Sequence, residues 1–514
     1  MKKGENLVEA NKNINFVVAG LLLTILMSSM DNTIVATAMG TIVGEMGGLD
    51  KFIWVTSAYM VAEMAGMPIF GKLSDMYGRK RFFIFGLIVF LLGSILCGTA
   101  QSIEQLSLYR AIQGIGGGAL IPITFTILFD IFPPEKRGKM TGLFGAVFGL
   151  SSVFGPLLGA YITDYISWHW IFYINLPLGF IAFFFVFKYY KESLEHSKQR
   201  IDWLGAFTLV GAVVCLIFAL ELGGNKYEWN SAVIIGLFST FSVLFIAFLF
   251  IERKVTEPII SFKMFQNRLF AASTLVGLCY GIGFIVAAVY IPIYVQGVTG
   301  GSATNSGLIL LPMMLGVVVS SQLGAIFAVK VGYRNVMIVF ALIFVLGIYL
   351  LGTLDENTPK MTLTIFMIIV GLGTGASFSV ISMAAIHHMD VRQRGSANST
   401  ISFVRQLGMT IGITVYGIIQ RNEFTDKMAG AFDKTEQMFQ GGMSADPRAI
   451  LSPEARASIP APILEKITNI LASSITQTFT WALIPAGLVI VFVFLLTNDR
   501  LVTSAQPKEK VQAE

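Results

Sequence analysis

The sequence predicts an all-α integral membrane protein of fourteen spans, and three observations carry that expectation. Of 514 residues, 54% are hydrophobic and 13% charged, against roughly a quarter charged in an ordinary soluble domain; the mean hydropathy is +0.72. Apolar runs of about 20 residues recur, each long enough to cross a hydrocarbon core of roughly 30 Å. Lysine and arginine, finally, concentrate on alternate connections between those runs.

The runs lie near 15–37, 52–70, 82–100, 105–129, 140–163, 170–188, 203–222, 231–251, 270–296, 306–329, 335–353, 362–386, 396–420 and 476–497. The first follows "MKKGENLVEANKN"; it is too long for a signal-peptide core and ends without a small-residue cleavage site, so it reads as span 1. With that end on the cytoplasmic side, inner connections hold Lys72, Arg79, Lys80 and Arg81, then Lys136, Arg137 and Lys139, then Lys188, Lys191, Lys198 and Arg200. Arg253, Lys254, Lys263, Arg268, Lys330, Arg334, Arg392 and Arg394 continue the pattern, whereas the short outer loops hold Lys51, Lys226 and Lys360. Both termini are therefore expected in the cytoplasm, and an even number of spans agrees. The net charge of +5 is a topology signal and calls for no nucleic acid.

Two halves are expected. Residues 1–190 read as a six-helix N-terminal half, 191–262 as a linker with an inserted pair (spans 7 and 8), and 263–514 as a six-helix C-terminal half. "GKLSDMYGRKR" at 71–81, after span 2, has a degraded echo in "GAIFAVKVGYRN" at 324–335. Repeated halves of this kind build many secondary transporters, with sites near the midplane between them. Residues 421–475, interrupted by Pro447, Pro453, Pro460 and Pro462, read as a long outer loop carrying amphipathic helices, either a lid or a passive connector.

Several classes are disfavoured. Cys97, Cys215 and Cys279 stand alone in apolar runs without metal-ligand spacing, so packing is their expected role, and no metal or cofactor is expected. An ATP-driven pump needs GxxxxGK[ST], but Lys72 and Lys139 precede Leu73 and Met140. His387 and His388 are followed by Met389 and Asp390 and do not supply HExxH, so an enzyme is not expected.

The chemistry lies in charges within spans. Asp31, in "LTILMSSMDNTIVATAM", puts a carboxylate where ionisation is costly. Its proton affinity depends on whether its surroundings are dry, wet or cationic, which suits a proton-coupling device. Arg110 in span 4 shares a helix face with Gln113, Gly114 and Gly117. Glu63 lies four residues after Tyr59 in span 2, as a second proton carrier or an attractor of cations, and Glu221 sits near the outer end of span 7, where it can reach the interface. Arg405, with Gly408 and Gly412, is expected to form an interior structural pair. Trp54, Tyr59, Phe125, Phe148, Tyr280, Phe284, Tyr290 and Met313 are candidates to line an adaptable cavity, since aromatics accept cations and methionine repacks.

"GKLSDMYGRKR" resembles the loop 2–3 signature of the major facilitator superfamily, through Gly71, Asp75, Gly78, Arg79 and Lys80. "LYRAIQGIGGGALIP", with Arg110, looks like that superfamily's span 4 motif. "GLSSVFGPLLGAYI" resembles the drug/proton antiporter signature through Gly155, Pro156 and Gly159, departing at Ser151 and Ala160, where glycine is usual. "MDNTIVATAM", "WVTSAYMVAEMAG", "SWHWIFYINLP" (His169 where arginine is common), "YIPIYVQGVTGGSATNSGLILLP" and "RGSANSTISFVRQLG" are similar to the fourteen-span branch.

The resemblance implies the major facilitator fold in a bacterial cytoplasmic membrane, acting as a monomer that exports drugs against protons, and the acidic groups inside the spans point to lipophilic cations as the substrates. It implies proton coupling by Asp31 and Arg110, to which the reading of span 2 adds Glu63, less typical of the branch, and a conformational latch formed by Gly71, Asp75, Gly78, Arg79 and Asp130. Substrate contacts would come from Trp54, Tyr59, Glu63, Gln113, Phe148, Tyr280, Phe284 and Tyr290. The second expectation is a facilitator or exporter of one specific metabolite on the same fold.

Overall fold

Long apolar runs with few internal breakers leave each backbone to satisfy its own hydrogen bonds, and in a hydrocarbon environment that means helix. A computed structural model describes residues 2–46, 53–192, 201–224, 226–301, 308–431 and 459–500. Its long helices are α1 (Lys2–Met46), α2 (Ile53–Tyr77), α3 (Arg79–Gly98), α4 (Ile103–Ile131), α5 (Pro134–Tyr165), α6 (Asn175–Tyr189) and α7 (Trp203–Leu222). They continue as α8 (Ala232–Lys254), α9 (Arg268–Gly297), α10 (Leu310–Val331), α11 (Tyr333–Leu351), α12 (Lys360–Ala385), α13 (Arg394–Ala431) and α14 (Ala461–Leu495). Thirteen of the described helices are long and apolar enough to cross a membrane. The long helix outside that set is α2, which carries Glu63, Pro68, Lys72 and Asp75.

Local signals set the helix starts. The Ser102 hydroxyl accepts from the Gln105 amide at the head of α4, Asp202 caps α7 at Gly205, and Asn267 accepts from Leu269 and Phe270 at the head of α9, each satisfying otherwise unpaired amides. The tight turns after α2 and α10 use Gly78 (φ 108°) and Gly332 (φ 91°), a left-handed geometry that favours glycine. The two glycines fall at matching places in the sequence echo of 71–81 and 324–335.

Packing follows two similar plans. In one, α4 lies against α2 and α3, and α1 against α5 and α6; in the other, α12 lies against α10 and α11, and α9 against α13 and α14. The two groups meet where α5 packs on α10 and α2 on α13, while α7 and α8 pair with each other and α7 leans on α2. Cys97 and Cys279 are buried free thiols.

The stretch read as an outer loop carrying amphipathic helices over 421–475 is helical at both of its ends. Helix α13 runs on to Ala431 and α14 begins at Ala461, because the helical stripe outlasts the apolar run. Gln420, Phe424 and Met428 are buried at four-residue spacing on α13, and Ile467, Leu471 and Ile475 on α14. The Gln420 amide donates to the Ser474 hydroxyl across this contact at 3.2 Å. Residues 432–458, and 193–200 of the charged segment after span 6, lie outside the described residues.

Candidate functional site

Asp31 on α1 and Arg110 on α4 are fully buried, at 0% exposure each, and form a direct ion pair. An uncompensated charge at such depth is untenable, so each must be paired and hydrogen-bonded, and the surrounding helices supply the partners. Gln113, three residues after Arg110 and on the same face, donates from Nε2 to Asp31 Oδ1 at 2.7 Å and accepts from Arg110 Nη1 at 2.7 Å. Asn175, first residue of α6, donates to Asp31 Oδ1 at 2.9 Å and to the Ser94 hydroxyl of α3 at 3.0 Å. Arg110 also donates to Asn32 Oδ1 at 3.3 Å and to the Val55 carbonyl at 3.4 Å. Its guanidinium lies 4.1 Å from the centre of the Tyr59 ring. Glu63, 3% exposed on α2, is within electrostatic reach of both Arg110 and Asp31.

The Gly155–Pro156–Gly159 segment of α5 packs against the same part of α1. A Cβ at Gly155 would collide with the Thr33 side chain, and one at Gly159 with Thr37. Close helix approach of this kind is the use of small residues four apart. Pro156 lies within α5 between them.

At one end of the bundle a second polar cluster joins the two packing groups. Asp75 Oδ1 accepts from the Gly395 amide at 2.9 Å, and Oδ2 accepts from the Ser396 amide at 2.7 Å and the Ser396 hydroxyl at 3.1 Å. The carboxylate thus caps the N-terminus of α13, where negative charge is favoured. Arg79 donates to Asp75 at 3.3 Å and to the Val391 carbonyl at 2.6 Å, and forms an ion pair with Asp130 at the end of α4. Arg394 reaches the same carboxylate at 3.7 Å. Gly71 allows the approach, since a Cβ there would meet the Ser399 side chain of α13.

The family model described as Major Facilitator Superfamily matches residues 21–203 and 195–413. The chain belongs to that superfamily. It is 57% identical over 498 residues to "Multidrug resistance protein 3" of Bacillus subtilis, covering 96% of this chain and 97% of that protein. It is 36% identical over 477 residues to the "Multidrug transporter protein MdtP" of the same organism, covering 90% and 88%. Two solved structures share the superfamily fold: the human organic anion transporter MFSD10, at TM-score 0.57 and 15% identity over 94% of this chain and 99% of that one, and a bacterial homologue of the human lysosomal transporter Spinster in an inward-facing, unoccupied conformation, at 0.56 and 14% over 96% and 99%. The protein is a multi-pass membrane transporter of the drug-efflux type.

Of the residues the sequence singled out in this superfamily member, Asp31, Arg110, Gln113, Tyr59 and Glu63 come together, as do Gly71, Asp75, Gly78, Arg79 and Asp130. Others have different neighbours. Trp54 packs at a tilt against Phe218 of α7, ring centres 4.9 Å apart, and the same contact face brings Glu221 of α7 to Ser57 of α2. Tyr280 is buried against Phe344 and donates to the Gly373 carbonyl at 3.3 Å. Phe284 lies edge-on to Phe378 at 6.1 Å, Tyr290 and Met313 are buried in the main core, and Phe125 packs on Phe144. The Phe148 side chain lies outside the described residues. Arg405, expected in a structural pair, bonds a carbonyl and a ring instead of a carboxylate.

Sequence reasoning gave Asn175, Ser94, Gly395 and Ser396 no place in either cluster, and read Arg394 as a topology signal only. For Arg394, Gly395 and Ser396 a signal was present in "RGSANS", a helix start whose amides need a partner, whereas Asn175 and Ser94 are neutral polar residues in apolar runs and carried none.

Proposed function

We propose that this transporter exports lipophilic, cationic drugs or toxic compounds across the cytoplasmic membrane of a bacterium, as a monomer, in exchange for protons. The observation that carries the reading is Asp31: a carboxylate with no exposure, inside a span, held by Arg110, Gln113 and Asn175. In the arrangement described, the ionised carboxylate balances Arg110. A proton added to Asp31 cancels that charge and leaves Arg110 without its partner; breaking a buried pair in this way costs about 3–5 kcal/mol. The guanidinium then turns toward Glu63, and the change is felt on α1 and α4. A cationic substrate favours the ionised acids, so substrate and proton compete for one charge state, as exchange requires.

The 71–81 loop sits on the cytoplasmic side in this reading, and its cluster with α13 is the latch that closes that side while the outer side is open. The two six-helix groups rock about the central site, and α7–α8 ride on α2 as the inserted pair. Ethidium movement in inverted vesicles under an imposed pH gradient tests the proposal. Gradient-driven uptake by the wild type and its loss in Asp31→Asn are expected. Equal uptake by both refutes the coupling role, and no uptake by either refutes the choice of substrate class.

A further inference from the structure

Arg405 lies 11 residues into α13 (405 − 394), about 16 Å along the helix, and so at membrane depth. A guanidinium there stays charged and needs an anionic partner or water. Among the described residues it has neither a carboxylate nor a phosphate-like partner. Nη2 donates to the Ser377 carbonyl at 3.3 Å, the guanidinium sits 4.6 Å from the centre of the Phe378 ring, and buried Nε has no partner. The side chain is half-buried. Helix α9 closes on α13 at Gly281, where the Arg405 carbonyl occupies the space a Cβ would need, and Phe284, three residues further along α9, lies edge-on to Phe378 at 6.1 Å. The same helix, α13, meets α2 of the other packing group through Thr410 and Met64 at 3.7 Å. One cation with a spare donor on the interface helix thus lies beside two aromatic rings, Phe378 of α12 and Phe284 of α9.

We propose that Arg405 is the docking point for a carboxylate or similar anionic group of the transported molecule, whose aromatic body packs on Phe378 and Phe284. Amphoteric aromatic compounds are then substrates alongside simple cations. The inference deepens the efflux reading and rests on it. A planar carboxylate matches the guanidinium fork and takes up the idle Nε donor, while the buried acids Glu63 and Asp31 deal with positive charge in the other half of the fold.

The test uses a dye pair differing at one group: rhodamine B, which carries a free carboxylate, and its ethyl ester. Binding to the full chain in detergent is read by fluorescence anisotropy. In Arg405→Gln the affinity ratio of acid to ester falls about tenfold, the scale of one charge-assisted bond, whereas Arg405→Lys keeps most of it. A ratio equal in wild type and Arg405→Gln overturns the proposal. A second measurement needs no variant: benzoate displaces rhodamine B from the wild-type protein at lower concentration than it displaces the ester, and equal displacement also overturns it. Vesicle uptake of the ester by the wild type reports on efflux separately, so a chain that moves the ester without a change in ratio keeps its efflux function and loses this role for Arg405.

Discussion

Replacing Asp75 by Asn isolates the energy of the closed end. The wild-type carboxylate, 6% exposed, accepts from two α13 amides and the Ser396 hydroxyl, with Arg79 as a fourth donor. Asparagine keeps one acceptor oxygen and replaces the other with a donor that faces the Ser396 amide. The contact therefore loses the bond at 2.7 Å and its charge assistance, about 2 kcal/mol. If opening of this end is what exposes the α13 N-terminus, its equilibrium constant rises about thirtyfold. Hydrogen exchange followed by mass spectrometry on the peptide 391–400 reads this directly, because the Gly395 and Ser396 amides are the donors. Faster exchange confined to that peptide and its partner around 71–79 is expected. Ser396→Ala, which removes only the 3.1 Å hydroxyl bond, accelerates exchange a few-fold. Wild-type exchange in Asp75→Asn refutes the reasoning, since it means that these bonds do not hold the two groups together.

Asn175→Ala removes one of the donors to Asp31 and lowers gradient-driven ethidium uptake about tenfold, on the scale of one bond to a charged group; uptake at the wild-type rate places Asn175 outside the working network. Gly155→Leu forces a side chain into Thr33 and lowers stability by about 1–3 kcal/mol, seen as an earlier thermal unfolding transition in detergent, while an unshifted transition means that α1 and α5 are not in close contact. Lys72→Ala removes the 2.7 Å pair with Glu257, whose side chains are 17% and 30% exposed, and changes stability by at most about 1 kcal/mol; a larger drop in the unfolding transition gives that pair a role in seating the inserted helices.

Hydropathy made the helices legible because lipid leaves the backbone few alternatives, and the fourteen runs found in the sequence correspond to α1–α14. Hydropathy alone is silent over 421–475, where the apolar run stops but the four-residue stripe of Gln420, Phe424 and Met428 goes on. A hydropathy window is blind to that stripe because the intervening Arg421, Asn422, Glu423, Asp426 and Lys427 are polar. In the site, Asp31, Arg110 and Gln113 were legible because a charge in a span must be answered by another, and an i, i+3 pair shares a face. Asn175 and Ser94 were not, since a neutral polar residue in an apolar helix advertises no partner until the tertiary contact exists. Arg79 and Asp130 were matched by charge and motif, but the capping of α13 by Asp75 joins residues 320 positions apart, which no local spacing encodes. The aromatic candidates failed to sort for a related reason: burial in a core and lining of a cavity demand the same side chains, and Trp54 and Tyr280 differ only in what they touch.

One helix carries both polar clusters. Arg110 and Asp130 are 20 residues apart on α4 (130 − 110), about 30 Å along a straight helix, so the Asp31–Arg110 site and the end cluster sit far apart on a single helix. Between them, Pro122 interrupts the helix's own hydrogen bonding, and its carbonyl accepts from Asn398 of α13 at 3.1 Å. A change in the charge balance at Arg110 is therefore not confined to the centre. Any tilt of α4 that follows Arg110 toward Glu63 moves Asp130 relative to Arg79 and Arg394, and pulls at the Asn398 contact on the way. The Asp130 pairs link α4 to the α2–α3 turn and to the start of α13, so a small displacement acts on bonds that have only formed and broken states. In the proposed exchange cycle, protonation at one end and opening at the other become two readings of the position of α4, with Asn398 the side chain through which the opposing group senses that position.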